Sequence, residues 1–344
     1  MPDKMKAALL YGMNDVRVEE TDMPPMDESK VLINIKYCGV CPSDVRWYTG
    51  ERATSSYPRR LGHEWVGEIV EIGAEIEGVK AGDRVAPDWR VVCGKCHYCR
   101  RGIFNYCEDF GYGKVSGGFC EYGTAILPNL RIIPDNVSYP EATFTEPLAC
   151  CLNGINKNNI KIGDDVVIVG TGPIGLMHVQ LAKHLGGRVI ACDLVEERLE
   201  MAKQLGADDM ICSAKGEAIE KVKELTDGRG ANSIVVAVGA PDAAEMALQM
   251  AGICGTVNLF AGTYPPAKLD LDPNLIHYKQ LLVTGSHDFT PHDFTSALKL
   301  IEYGIVKVKP IISHILPLER IKEGFDTVVE KKGLKVVIKI GDNT

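Results

Sequence analysis

The 344-residue chain has no apolar run approaching the ~20 residues that a membrane-spanning helix needs. Its first residues, Met1-Pro2-Asp3-Lys4-Met5-Lys6, lack the apolar segment of a signal peptide. Basic charge is in deficit: 38 Lys and Arg stand against 46 Asp and Glu, a net charge of −8. That balance argues against nucleic acid or an anionic membrane as the main partner. No internal repeat and no low-complexity segment is seen. What remains is an ordinary globular composition, 45% hydrophobic and 24% charged, with length for two full cores. The expected setting is the cytoplasm, and the expected partner is a small molecule.

Cysteine is plentiful, with twelve residues. In a reducing compartment, metal ligation suits them better than disulfides. Cys93, Cys96, Cys99 and Cys107 follow C-x2-C-x2-C-x7-C on a short lobe at about residues 90–110. Four thiolates so placed fit a closed tetrahedral zinc site. A ferredoxin-type cluster wants a last gap of three residues followed by proline, and neither is present. Cys38, Cys120, Cys150, Cys151, Cys192, Cys212 and Cys254 sit among apolar neighbours and read as core packing.

The chain is organised around Asp165–Asp193. Asp165–Val169 is a short β-branched run, read as a buried parallel strand. Gly170-Thr171-Gly172-Pro173-Ile174-Gly175 follows, then a helical pattern over 174–185, then a second apolar run ending on Asp193. Gly170 permits a tight turn, Gly172 opens the backbone to a pyrophosphate, and Gly175 allows close helix–strand packing. The helix N-terminus presents free N–H groups to phosphate. Asp193 lies 23 residues after Gly170, near the ~20 expected for the acid on the adenosine ribose. A carboxylate there repels a 2′-phosphate, so NAD is expected over NADP. Cofactor contacts are assigned to Gly170, Gly172, Pro173, Ile174, Gly175, Asp193, Arg198 and Gly239. Gly285-Ser286-His287 is a weaker candidate.

Before this unit come short strands and turns: 5–10 with 16–19 as a hairpin, then 31–37, 65–72 and 84–87. That pattern suggests a β-barrel-like domain. After Asp165 six strands alternate with helices, the count of a doubly wound nucleotide fold. The closing segments read as a helix at 291–303, a strand at 308–312, a helix at 321–330 and a strand at 336–340.

Cys41, His63 with Glu64, and Glu146 supply a thiolate, an imidazole and carboxylates, a zinc set with one position left open. Singly, each has a plainer reading: a buried thiol, a hydrogen-bonded core histidine, a helix-start acid.

Together these segments resemble the zinc-dependent medium-chain alcohol dehydrogenases, of the sorbitol (polyol) dehydrogenase type. Gly39-Val40-Cys41-Pro42-Ser43-Asp44 resembles that family's GxCGSD, Gly62-His63-Glu64 its GHE, and Glu146-Pro147-Leu148 its EPL. The four-cysteine lobe and the NAD turn match as well, in order along the whole chain. The resemblance implies an α/β protein with a GroES-like β-barrel catalytic domain (1–152 and 286–344) and a doubly wound parallel Rossmann domain (153–285). It implies one catalytic zinc on Cys41, His63 and Glu146, with Glu64 as an exchangeable or supporting group, and one structural zinc. It further implies hydride transfer between a secondary alcohol and NAD, proton exit through Ser43, a nicotinamide in the cleft between domains, and a homodimer or homotetramer.

Two departures matter. Pro42 replaces a glycine, and Arg46 stands where the family often has histidine. Arginine stays protonated and relays no proton. Arg46, Arg59 and Arg60 leave an acidic sugar, aldonate or sugar phosphate open as substrate, beside a neutral polyol, threonine or butanediol. Tyr48, Tyr57, Arg59 and Arg60 are candidates for a substrate pocket. A non-catalytic zinc- and NAD-binding scaffold is the rival of another class.

Overall fold

The computed structural model describes residues 2–52, 56–111, 114–212 and 215–341, so residues 53–55 of the polar loop 50–60 lie outside it. The chain forms two compact units. One holds Met1–Pro147, Thr290–Tyr303 and Val308–Thr344; the other holds Leu148–Phe289 and Gly304–Lys307. The first division falls inside the helix Thr145–Ile155, five residues before the expected 152/153, because that helix runs unbroken across it. Gly304–Lys307 joins the nucleotide unit, where Gln180 is hydrogen-bonded to both Lys307 N–H (2.7 Å) and Lys307 C=O (3.2 Å).

The nucleotide unit carries six parallel strands. Their spatial order is Asp209–Cys212, Arg188–Asp193, Asp165–Val169, Ala231–Val236, Ala251–Leu259, Leu282–Gly285. In chain order that is 3-2-1-4-5-6, the doubly wound arrangement with its switch point beside Asp165–Val169. Val166–Val169 are all buried, as a strand covered on both faces requires. Leu282–Gly285 forms an edge, with Leu282 56% exposed.

The other unit is mainly antiparallel. Its larger sheet orders Ile312–Pro317, Lys335–Lys339, Val31–Gly39, Glu64–Ile72, Arg84–Pro87 and Leu130–Ile132, with Tyr122–Ala125 also paired to Val31–Gly39. A smaller sheet joins Lys4–Gly12, Asp15–Asp22 and Arg59–Arg60. Met5, Leu10, Ile33, Trp65 and Ile338 from both sheets share one core with Phe119 and with Phe325 of the helix Ile321–Val329. The barrel-type expectation is borne out.

Several local expectations are corrected. Pro42–Tyr48, read as an interruption, is a short helix capped by Cys41, with proline where a missing N–H does no harm. Pro273–Lys279 is a second unforeseen helix, with Asp272 accepting from Asn274 N–H at 2.9 Å. The strand placed at 308–312 begins at Ile312; Pro310 holds Lys309–Ile311 in a 3₁₀ turn. Cys212 and Cys254 are exposed and are not core residues. Cys212 ends the edge strand Asp209–Cys212, and Cys254 takes a φ of 57° next to Ile253, itself 73% exposed. Cys150 is half-buried.

Candidate metal and nucleotide sites

Sheet register explains why distant residues meet. In the antiparallel pair, Gly39 faces Glu64 and Cys38 faces Trp65. Cys41 follows one strand and His63 precedes the other, so both project from the same end of the sheet. On the other side Val337 pairs with Gly39, and Val40 N–H donates to Val336 C=O at 3.0 Å, which brings in Lys335. The donor atoms of Cys41, His63 and Glu64 lie within 4.8 Å of one another.

Glu64 is fully buried, and Gly39 makes room for it: a Cβ at 39 would lie 2.1 Å from Glu64 Oε2. Lys335, itself buried, forms an ion pair with that carboxylate. Burial alone would lower the Lys335 pKa, but Glu64 and Cys41, with Glu146 beyond, hold it above the usual lysine value. Burying a carboxylate without such a partner is costly.

Asp44 organises the other two. It is 3% exposed and accepts from Cys41 N–H (3.3 Å) and Gly62 N–H (3.1 Å). Its Oδ1 also lies 3.4 Å from His63 Nδ1. Metal-binding histidines commonly give their second nitrogen to such a carboxylate. Burial would lower the His63 pKa, but Asp44 and Cys41 outweigh it and hold it well above 6.5.

Glu146 lies buried in the first turn of Thr145–Ile155, near enough to act on Lys335. It is not among the three donors that converge; Lys335 pairs with Glu64 and feels the charge of Glu146 more weakly. Ser43 is half-buried in the first turn of Pro42–Tyr48, and Arg46 is half-buried in its last. Tyr48 is core: it is 1% exposed, and its hydroxyl donates to Asp326 at 2.7 Å. Tyr57 packs on the same core.

The donor set fits zinc: one thiol, one oriented imidazole, and a carboxylate whose Oε2 pairs with Lys335 and whose Oε1 receives no hydrogen bond. The four-cysteine lobe fits it too. All four sulfurs lie within 4.8 Å of one another, and Cys93 Sγ and Cys99 Sγ are 4.0 Å apart, too far for a disulfide. Backbone N–H groups of Cys93, Cys96 and Cys99 point at the sulfurs of Cys107, Cys93 and Cys96, at 3.2, 3.3 and 3.4 Å. The backbone N–H groups of Glu108 and Cys99 draw the Cys96 thiol down to about 6, while burial pushes the Cys99 thiol up to about 12.

The nucleotide turn also fits its ligand. Gly170 has φ 89°. A Cβ at Gly175 would lie 1.8 Å from Gly170 O, whereas one at Gly172 would meet no protein atom. The backbone at Gly172 is therefore open, and the N–H groups of Ile174 and Gly175, just after Pro173, have no acceptor within the helix. Asp193 accepts from Thr171 N–H (2.6 Å) and Oγ1 (3.0 Å), and from the N–H groups of Leu194 (2.8 Å) and Val195 (3.1 Å). Arg198 sits in the first turn of Glu196–Gln204. A Cβ at Gly239 would lie 2.5 Å from Gly262 O, so glycine there also serves backbone packing. His287 is exposed.

The motifs alone assign Asp44 no role; its signal in the sequence is the capping-box spacing from Cys41. Lys335 carried no signal at all.

Two family models match: an alcohol dehydrogenase GroES-like domain over residues 27–134, and a zinc-binding dehydrogenase domain over 173–303. The chain is 34% identical over 333 residues to a D-arabitol-phosphate dehydrogenase of Enterococcus avium, covering 95% of this chain and 94% of that one. It is 35% identical over 336 residues to a sorbitol dehydrogenase of Halalkalibacterium halodurans, covering 95% and 96%. A solved structure from Sinorhizobium meliloti, given as a zinc-binding dehydrogenase bound to NADP, matches with a TM-score of 0.91 at 27% identity, covering 98% and 100%. Among the described residues, no helix is long and apolar enough to cross a membrane.

Proposed function

The chain belongs to the zinc-dependent medium-chain alcohol dehydrogenases, oxidoreductases acting on CH–OH donors, and we propose that it moves hydride between a secondary alcohol of a polyol or polyol derivative and NAD. The observation that carries this reading is the convergence of Cys41, His63 and Glu64 at the end of one sheet.

Cys41 and His63, with Glu64 and Glu146 as the carboxylates at hand, would hold the catalytic zinc. Cys93, Cys96, Cys99 and Cys107 would hold the structural one. When bound, zinc supplies a Lewis acid that eases loss of the alcohol proton, and NAD supplies the hydride acceptor. Asp44 fixes the backbone of Cys41 and the ring of His63. Lys335 is paired with Glu64, which offsets the cost of burying that carboxylate. Ser43 takes the hydroxyl proton and passes it to water, since Arg46 cannot. Asp193 would meet the adenosine ribose and disfavour a 2′-phosphate.

The test is NADH formation across a panel of sorbitol-type polyols, pentitol phosphates, diols, threonine and aldonates, with a chelator-treated control. Turnover of a polyol or its phosphate, abolished by the chelator, is expected. Activity that survives complete zinc removal would contradict the reading.

We further place the protein in the cytoplasm, where the thiolate lobe stays reduced. We assign it a dimer or tetramer built on the edge strand Leu282–Gly285. Leu282 (56%), Ile253 (73%) and Tyr278 (78%) are exposed on that unit, which supports the assignment. Sedimentation is expected to give at least a dimer; a stable monomer would remove this part.

A further inference from the structure

A cavity of about 390 Å³ opens beside His63 in the barrel unit. Its size suits a small-molecule substrate. Arg60, Trp65, Trp89 and Ser116 line it together with His63. The electrostatics of this cavity are one-sided. Arg60 touches the Cys120 thiol, but neither it nor Arg59 forms an ion pair with a carboxylate among the described residues. The Nε–H of Arg60 is buried with no acceptor. The Nε1–H of Trp89 is buried with no acceptor as well, and the Trp89 ring stands edge-on to His63 at 6.0 Å. A half-buried guanidinium whose Nε–H has no acceptor and a buried indole donor without one are unfavourable alone. An acceptor-rich anion in the cavity would relieve both.

We propose that the cavity is an anion subsite, in which Arg60 receives a phosphate ester or carboxylate at the end of the polyol substrate whose reacting alcohol lies toward His63. The inference rests on the reading of the Cys41–His63 centre as catalytic. Arg60 and His63 are three residues apart, so their backbones lie at most ~11 Å apart. The two side chains reach in from those backbones, so the gap left between them is within the span of a short polyol chain. Arginine also offers the planar fork that phosphate and carboxylate prefer.

The test uses two readouts on wild type and Arg60→Gln, with Arg60→Lys as the conservative control. The first is the ratio of kcat/KM for a pentitol phosphate, or an aldonate, to that for the neutral pentitol. Wild type is expected to favour one of the anions by about 10- to 100-fold, R60Q to lose that preference, and R60K to keep part of it. The two anionic arms separate phosphate from carboxylate. The second readout is tryptophan fluorescence during titration with inorganic phosphate or acetate, because Trp65 and Trp89 line the cavity. It needs no turnover. A saturable change in wild type that is absent in R60Q upholds the subsite even if no alcohol is oxidised, in which case the catalytic reading fails alone. Preference for the neutral polyol, with no fluorescence change in wild type, overturns the subsite and leaves the dehydrogenase reading intact. Should R60Q not fold, the wild-type preference and titration decide the matter.

Discussion

His178 shows how a single residue sets a pH limit. It lies in the helix Pro173–His184, is 0% exposed, and neither ring nitrogen has a hydrogen-bond partner. The Phe260 ring meets it edge-on at 4.7 Å. Burial pushes its pKa down to about 3, against 6.5 for a free histidine. The unfolded chain therefore takes up a proton that the folded chain refuses. Stability is unaffected well above pH 6.5, falls as pH drops through 6.5, and levels off near pH 3. At pH 5 the loss is roughly 2 kcal/mol at ~1.36 kcal/mol per unit. Urea unfolding at pH 7 and pH 5 should therefore show a smaller acid loss in His178→Leu than in wild type. Equal losses would show that His178 does not set this limit. Near the metal centre, legibility at this scale was uneven. Cys41, His63 and Glu64 stood out by type and motif, and Asp44 left a capping signature. Lys335 left none, because its partner Glu64 is 271 positions away and only strand pairing joins them.

The glycine turn from Asp165–Val169 into Pro173–His184, closed by Asp193, is the element to which we assign cofactor choice. Asp193 binds four donors of the turn and of its own strand end, so it shapes the loop as well as presenting charge. Asp193→Ala should lower kcat/KM with NAD by about 10- to 100-fold, the range for a charge-assisted contact. With NADP the loss should be much smaller, because the repulsion of the 2′-phosphate disappears. Steady-state kinetics with both cofactors decides it; equal losses would reduce Asp193 to a loop-shaping role. Elements of this unit were legible because buried parallel strands and the helices between them run long enough to show periodicity. The helices Pro42–Tyr48 and Pro273–Lys279 are seven residues each, too short for an apolar period. Their proline and N-cap signals are local and do not separate a short helix from a turn.

At the scale of the whole molecule, the barrel unit is built from both ends of the chain, and that closure assembles the candidate metal centre. Lys335–Lys339, from the C-terminal end, pairs with Val31–Gly39, which pairs with Glu64–Ile72. Three segments far apart in the chain thereby present Lys335, Cys41 and His63 with Glu64 in one row. Class and topology were legible from composition and motif order. The row was not, because register is set by the pairing of strands that are remote in sequence. The central claim is that this row holds a catalytic zinc distinct from the structural one. The most direct measurement is zinc content, NADH binding and turnover of Cys41→Ala beside Cys96→Ala. The account predicts that Cys41→Ala loses one zinc per chain and all turnover while still folding and binding NADH. Cys96→Ala should lose a different zinc and, with it, thermal stability. Near-normal turnover in Cys41→Ala, or an unchanged zinc content, would contradict the account.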